Sequence, residues 1–183
     1  ALSEVWGELA QAAGEAERLT ELLEEESAIQ APATPVALPA ASTGTIAFRN
    51  VSFSYPGRPD RPTLDDVTFE VAAGETLAIV GPSGAGKTTL LTLVLRFYDP
   101  TDGSVVVDGM DVNAVDPVEL RKRMAIVPQD VAVFAASAAD NIGLGRPDAT
   151  IAEIEAAARD ALAHDFITAL PQGYDTVLGE RGV

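Results

Sequence analysis

The run VGPSGAGKTTLL, Val80 to Leu91, constrains this chain more than any other stretch. Gly81, Gly86, Lys87 and Thr88 satisfy G-x-x-x-x-G-K-[ST], a pattern that folds as a turn between a strand and a helix and cradles phosphate. The flanks agree. The apolar run TLAIV ahead of the glycines predicts a strand, and KTTLLTLVLRFY after them has the length and period of a helix. Glycines let the backbone curl so that successive N–H groups turn inward, and the helix N-terminus adds partial positive charge at the same place. On this reading Gly81, Ser83, Gly84, Ala85 and Gly86 form the cradle, and Lys87, Thr88 and Thr89 open the helix over it. Lys87 would reach the β- and γ-phosphates of a nucleoside triphosphate, and the Thr88 hydroxyl would ligate the Mg²⁺ that bridges them.

The rest of the chain is organised around that element. Residues 2 to 23 place Leu2, Trp6, Leu9, Ala13, Ala16, Thr20 and Leu23 on one helical stripe, and Glu24, Glu25 and Glu26 then load its end with charge that the helix dipole disfavours. Prolines at 32, 35 and 39 among small residues make 28–44 an extended linker whose composition does not pack. From Thr45 the pattern turns to β-type runs, TIAFRNVSFSY and LDDVTFEVAAG. GSVVVDGMDV carries the Asp-Gly step of a tight hairpin, so Asp108 reads as a turn residue rather than a metal ligand at the end of a strand. Asp116 is placed as an N-cap with Pro117 at the first helical position, MAIVPQ reads as a strand, and ATIAEIEAAARDALAHDFITAL as helix. His164, the sole histidine, has no motif around it and reads as a surface or packing residue.

Charge narrows the partners. Twelve basic residues against twenty-eight acidic ones give a net charge of −16, which repels phosphate backbones and argues against nucleic acid. No apolar stretch approaches the roughly 20 residues of a membrane-spanning helix, so the piece is expected to be soluble by itself. The absence of cysteine excludes disulfides and thiolate metal sites.

A phosphate cradle alone does not separate transport ATPases from kinases, GTPases or DNA-repair ATPases. The stretch VSFSYPGRPDRPTLDDVTFEVAAGETLAIVGPSGAGKTTLL resembles, almost residue for residue, the start of the nucleotide-binding domain of ATP-binding cassette (ABC) transporters, and most of all fused bacterial exporters of the multidrug and lipid-flippase type. The resemblance implies an α/β fold: part of a P-loop NTPase core with an N-terminal antiparallel β-subdomain, preceded by an amphipathic helix and a linker. It divides the chain into 1–27, leading from the last transmembrane helix, 28–44, the linker, and 45–183, the N-terminal part of the nucleotide-binding domain. It implies that Tyr55, in the FSYP position, stacks on adenine. RMAIVPQDVAVFAASAADNIGLG resembles the family's Q-loop region, so Gln129 is implied to reach Mg²⁺ and the attacking water while its loop touches the transmembrane part. Lys87 and Gln129 are thus the implied catalytic residues, and Thr88 and Gln129 the implied metal contacts. YDTVLGERG resembles the loop that places Glu180 against the membrane domain's intracellular loops. Ala138 departs from the isoleucine or valine usual there.

The resemblance further implies ATP and Mg²⁺ as ligands, a second nucleotide-binding domain in homo- or heterodimeric association, the transmembrane domain of the same transporter as partner, and a place on the cytoplasmic face of the inner membrane. The signature sequence, the metal-binding strand, the general-base glutamate and the switch histidine are not found in these residues, so the piece alone is expected to bind Mg-ATP weakly and not to hydrolyse it. Three rivals stand beside this reading. A soluble ABC-type ATPase acting on DNA or ribosomes conflicts with the acidic balance; another P-loop enzyme, such as a small-molecule kinase or a GTPase, is the second, and a GTPase needs an N-K-x-D that is absent. A catalytically silent interaction module would keep the fold without binding nucleotide.

Overall fold

In the computed structural model of the protein, residues 11, 14–20, 23 and 27–179 are described. They fall into two compact units, Ala1–Ala125 and Ile126–Val183. Residues 14–20 are helical, as the stripe predicts, and Ser27 lies outside the helix. Among the described residues no helix is long and apolar enough to cross a membrane.

The first unit is built on a four-stranded antiparallel sheet, β1 (Ile46–Phe53), β2 (Leu64–Val71), β3 (Asp102–Val107) and β4 (Met110–Asp111), in the order β2-β1-β3-β4. Strand alternation alone would put Phe48 and Val51 on opposite faces. A register irregularity between them, with Asn50 at φ 50°, lets Phe48, Val51 and Phe53 all face the core. Asn50 is held there by donating from its side chain to Asp66 Oδ1 at 2.8 Å. Phe48 pairs with Phe69 across the ladder, the rings stacked at 4.7 Å. The β3–β4 connection is the expected tight hairpin: Asp108 and Gly109 both have positive φ, 50° and 80°, which suits the right-handed twist of the strands.

Helix α1 (Lys87–Val94) lays Leu90 and Leu93 on this sheet, joined by Val112, Val115 and Leu120 in one core. Leu120 belongs to α2 (Pro117–Arg121), which Asp116 caps as expected by accepting from Val118 N at 2.7 Å. Beyond α1 the chain turns at Arg96, φ 51°, whose side chain is buried and donates to Val115 O, to Gln30 O and, as an ion pair at 3.0 Å, to Asp99. Arg121 donates to the carbonyls of Leu95 and Arg96, satisfying the helix C-terminus, and its guanidinium lies 4.7 Å from the Phe97 ring.

The segment 28–44 has no regular secondary structure, as its prolines predict, but it does pack. Leu38 rests on the core, Gln30 O accepts from Arg96, Val36 N donates to Ala114 O at 2.8 Å, and Pro39 O accepts from Arg123. It ends in a clasp. One carboxylate oxygen of Asp108 accepts from the amides of Thr43, Gly44 and Thr45 and from the Thr43 hydroxyl, while the other accepts from Ser42 Oγ at 2.6 Å. The expectation of a segment unable to pack is therefore corrected: small side chains leave the backbone accessible, and charged groups elsewhere in the unit bind it.

Two expected strands are absent as strands. Residues 76–80 and 124–129 carry no ladder, and Val80 and Val127 are 87% and 90% exposed. Their apolar composition suits a sheet buried on both faces, but a ladder also needs neighbours, and none pairs with them among the described residues.

The second unit contains α3 (Ala138–Gly143), α4 (Ile151–Asp160) and α5 (His164–Thr168). Ser137 with Asp140 and Thr150 with Glu153 form capping boxes that start α3 and α4. Its core joins buried Ala138, Ala158 and Ile167 to Ile142, Tyr174 and Leu178, beside an open apolar groove of about 600 Å³. The helix expected from 150 to 170 is interrupted at Leu162, which is 90% exposed with φ 56°. His164 packs, as expected, with Nδ1 3.0 Å from the Tyr174 hydroxyl.

Candidate nucleotide-binding site

The cradle has the form that its glycines require. Gly84 and Gly86 take positive φ, 80° and 86°, and the second serves as the residue before α1 with no side chain to cap the helix. A Cβ at Gly86 would come 2.8 Å from Leu64 Cδ2 and 3.0 Å from Thr63 O, so the loop is wedged against the start of β2. Ala85 N turns back to Pro82 O at 3.3 Å. Among the described residues, the N–H groups of Ser83, Gly84, Gly86, Lys87, Thr88 and Thr89 have no protein acceptor. Ser83, Gly84 and Thr88 are exposed, Lys87 is half-buried, and Gly86 and Thr89 are buried, so the set runs from solvent into the positive end of a helix dipole. That is a donor set fitted to an anion with several oxygens.

Lys87 is half-buried, and its Nζ donates to the carbonyls of Gly81 and Pro82 at 2.9 and 2.7 Å. The loop thereby ties the ammonium to its own first two carbonyls. Both partners are neutral carbonyls, so an anionic phosphate oxygen, which adds charge–charge attraction to the hydrogen bond, competes with them for the ammonium. In an acidic chain this one ammonium and the free amides supply the local positive potential.

Tyr55 lies in the same unit, on the segment following β1. Its hydroxyl is 3.0 Å from the hydroxyl of buried Thr89, in the first turn of α1. Its ring meets Phe53 at 4.9 Å and Tyr98 at 5.3 Å, both nearly perpendicular. The structure thus brings together Tyr55, the glycine loop, Lys87, Thr88 and Thr89. Gln129 belongs to the second unit, where it is exposed on a bend in a stretch without secondary structure. Glu180 lies outside the described residues. Tyr98 was not singled out from the sequence. Its signal is the aromatic pair Phe97-Tyr98 just past α1, which periodicity alone assigns to the helix.

Comparison with known proteins agrees with this geometry. The family model described as ABC transporter matches residues 64–180. ABC transporter B family member 1 of Arabidopsis thaliana is 50% identical over 141 residues, 77% of this chain and 11% of that protein. An uncharacterized ABC transporter ATP-binding protein of Bacillus subtilis is 45% identical over 167 residues, 91% of this chain and 27% of its own length. Human ATP-binding cassette sub-family B member 6 is 46% identical over 172 residues, again 91% of this chain, and 20% of its own. The chain therefore spans between about a tenth and about a quarter of these relatives. Among solved structures, a bacterial Atm1-family ABC exporter with ATP bound matches with a TM-score of 0.81 and 43% identity, covering 92% of this chain and 29% of that one. A glycine loop wedged on β2, a lysine held on that loop's carbonyls and a match running from Leu64 to Glu180 have one common explanation: this chain belongs to the ABC transporter family and carries part of its ATP-binding domain.

Proposed function

We propose that the protein binds Mg-ATP at residues 81–89 and Tyr55, and that the transporter containing this domain hydrolyses ATP to drive export of a substrate across a membrane, with the domain on its cytoplasmic face. The observation that carries the reading is the set of amides at the start of α1 without protein acceptors, with the Lys87 ammonium held among them. These donors would bind the triphosphate oxygens, and Tyr55 would offer its ring to the base, a contact that needs no base-specific hydrogen bond.

Mg²⁺ fits on chemical grounds as a partner that arrives with the nucleotide. Among the described residues no group of three or more His, Asp or Glu could hold it, and a magnesium ion carried by phosphates needs only one or two protein oxygens. Thr88, exposed at the first turn of α1, would supply one, and the Gln129 amide a second when the Q-loop region is in place. Bound there, the ion would neutralise charge on the β- and γ-phosphates. Gln129 would also orient water and link nucleotide state to the transmembrane domain, with Glu180 contacting the same partner. A second nucleotide-binding domain would complete the site.

Isothermal titration with Mg-ATP tests the proposal. Wild-type protein is expected to bind, and Lys87→Ala to weaken binding at least tenfold through loss of a charge-assisted contact, a factor equivalent to about 1.4 kcal/mol. A folded wild-type protein that gives no heat, or a Lys87→Ala variant that binds as tightly, would refute it.

A further inference from the structure

Tyr55 sits where the chain leaves β1, followed by exposed residues 56–62. A tyrosine on such a segment has two free side-chain torsions, yet a stacking platform is useful only if its plane is fixed relative to the phosphates. Three contacts fix it. The hydroxyl meets Thr89 Oγ1 at 3.0 Å, the Phe53 ring stands at 80° to it, and the Tyr98 ring at 86° with centroids 5.3 Å apart. Phe53 belongs to β1, but Thr89 and Tyr98 both belong to the α1 region, one in its first turn and the other just past its end.

Tyr98 is itself held. The chain reverses at Arg96, whose buried guanidinium is bonded to Val115 O and Asp99, and Arg121 fastens the carbonyls of Leu95 and Arg96 while lying on Phe97. Tyr98 also contacts Phe53, at 5.5 Å, closing a cluster of three aromatic rings. The ring edge that bears on Tyr55 is therefore anchored to the same helix whose N-terminus forms the cradle.

We propose that Tyr98 is a positioning residue for the nucleotide base: its ring, acting with the Thr89 hydroxyl, holds Tyr55 in register with the phosphate cradle. The inference rests on the reading of Tyr55 as the base platform. Loss of the Tyr98 ring removes one of the three contacts that fix Tyr55 and leaves only Thr89 and Phe53, so its plane is held less firmly and binding through the base weakens while binding through the phosphates is untouched.

The experiment measures the affinity of the full chain for Mg-ATP and for magnesium tripolyphosphate, which has no base. Tyr98→Leu is expected to weaken ATP binding roughly three- to tenfold, the range of an edge-to-face aromatic pair, and to leave tripolyphosphate binding unchanged. Tyr98→Phe, which keeps the ring, is expected to restore ATP affinity. In a Tyr55→Leu background, Tyr98→Leu is expected to add nothing. Equal weakening of both ligands, or of neither, overturns the proposal. If Tyr98→Leu fails to fold by circular dichroism, Tyr98→Met, with comparable reach and no ring, is read by the same criterion. A Tyr55→Leu variant that binds ATP like wild type defeats the base-platform reading itself, whereas weak Tyr55→Leu with normal Tyr98→Leu defeats only the role of Tyr98.

Discussion

Replacing Asp108 by Asn tests the clasp through its charge. The Asp108 side chain is 8% exposed and accepts from Ser42, Thr43, Gly44 and Thr45. The hydrogen bond from Ser42 does most to lower its pKa, burial opposes it, and the bonds from Thr43 and Gly44 add to the lowering, so the group falls from 3.8 to about 2. A difference of that size between unfolded and folded protein corresponds to about 2 kcal/mol of stability. Because the folded value is the lower one, this stability is complete above the unfolded pKa and is lost as pH falls from 3.8 through about 2. Asn keeps the shape and one acceptor but has no charge to titrate. Unfolding in urea, followed by pulsed hydrogen exchange on peptides from β1 and β3, reads this unit separately from the other. We expect Asp108→Asn to be less stable than wild type by about 2 kcal/mol at pH 6, and by less than about 0.5 kcal/mol at pH 2. A difference equal at the two pH values would show that the clasp does not act through its charge, and no difference at either would show that it does not stabilise the unit.

Gly103→Ala should be severe, because its Cβ would lie 2.2 and 2.4 Å from the carbonyl oxygens of Asn50 and Arg49 at φ 79°, contacts that only backbone movement relieves. A loss of at least about 3 kcal/mol in urea unfolding is expected. Leu93→Ala empties a fully buried position under α1 and should cost about 2 to 5 kcal/mol by the same measurement. Thr150→Ala removes one half of the capping box of α4 and should cost about 1 kcal/mol, seen as faster exchange of α4 amides with those of β1 unchanged.

What could be read from the sequence was local. The glycine loop, the Asp108-Gly109 hairpin and the Asp116 cap each depend on residues within a few positions, and each formed as expected. Strands over 76–80 and 124–129 follow from composition, but a strand exists only through a neighbour, and composition does not name one. The break at Leu162 is invisible for a different reason: leucine is a good helix former, yet here it takes the left-handed position of a helix-ending turn, with Leu162 N donating to Arg159 O and Ala163 N to Ala158 O, a place that glycine usually marks. At the candidate site, the cradle residues came from a motif whose physical basis is local. Tyr98 did not, because its relation to Tyr55 crosses 43 positions and depends on how Arg96 turns the chain. The packing of residues 28–44 was hidden likewise, since its partners Arg96, Ala114, Arg123 and Asp108 all lie far along the chain.

That separation has a consequence during synthesis. Gln30 and Ser42 each wait 66 residues for Arg96 and Asp108, and Pro39 waits 84 for Arg123. At about 5 to 20 residues per second, Pro39 is polymerised roughly 4 to 17 seconds before its partner. The core on which Leu38 rests is complete only with Leu120, and until then the prolines around Leu38, which have no N–H to donate to a β-ladder, make this nascent stretch a poor partner for a wrong strand.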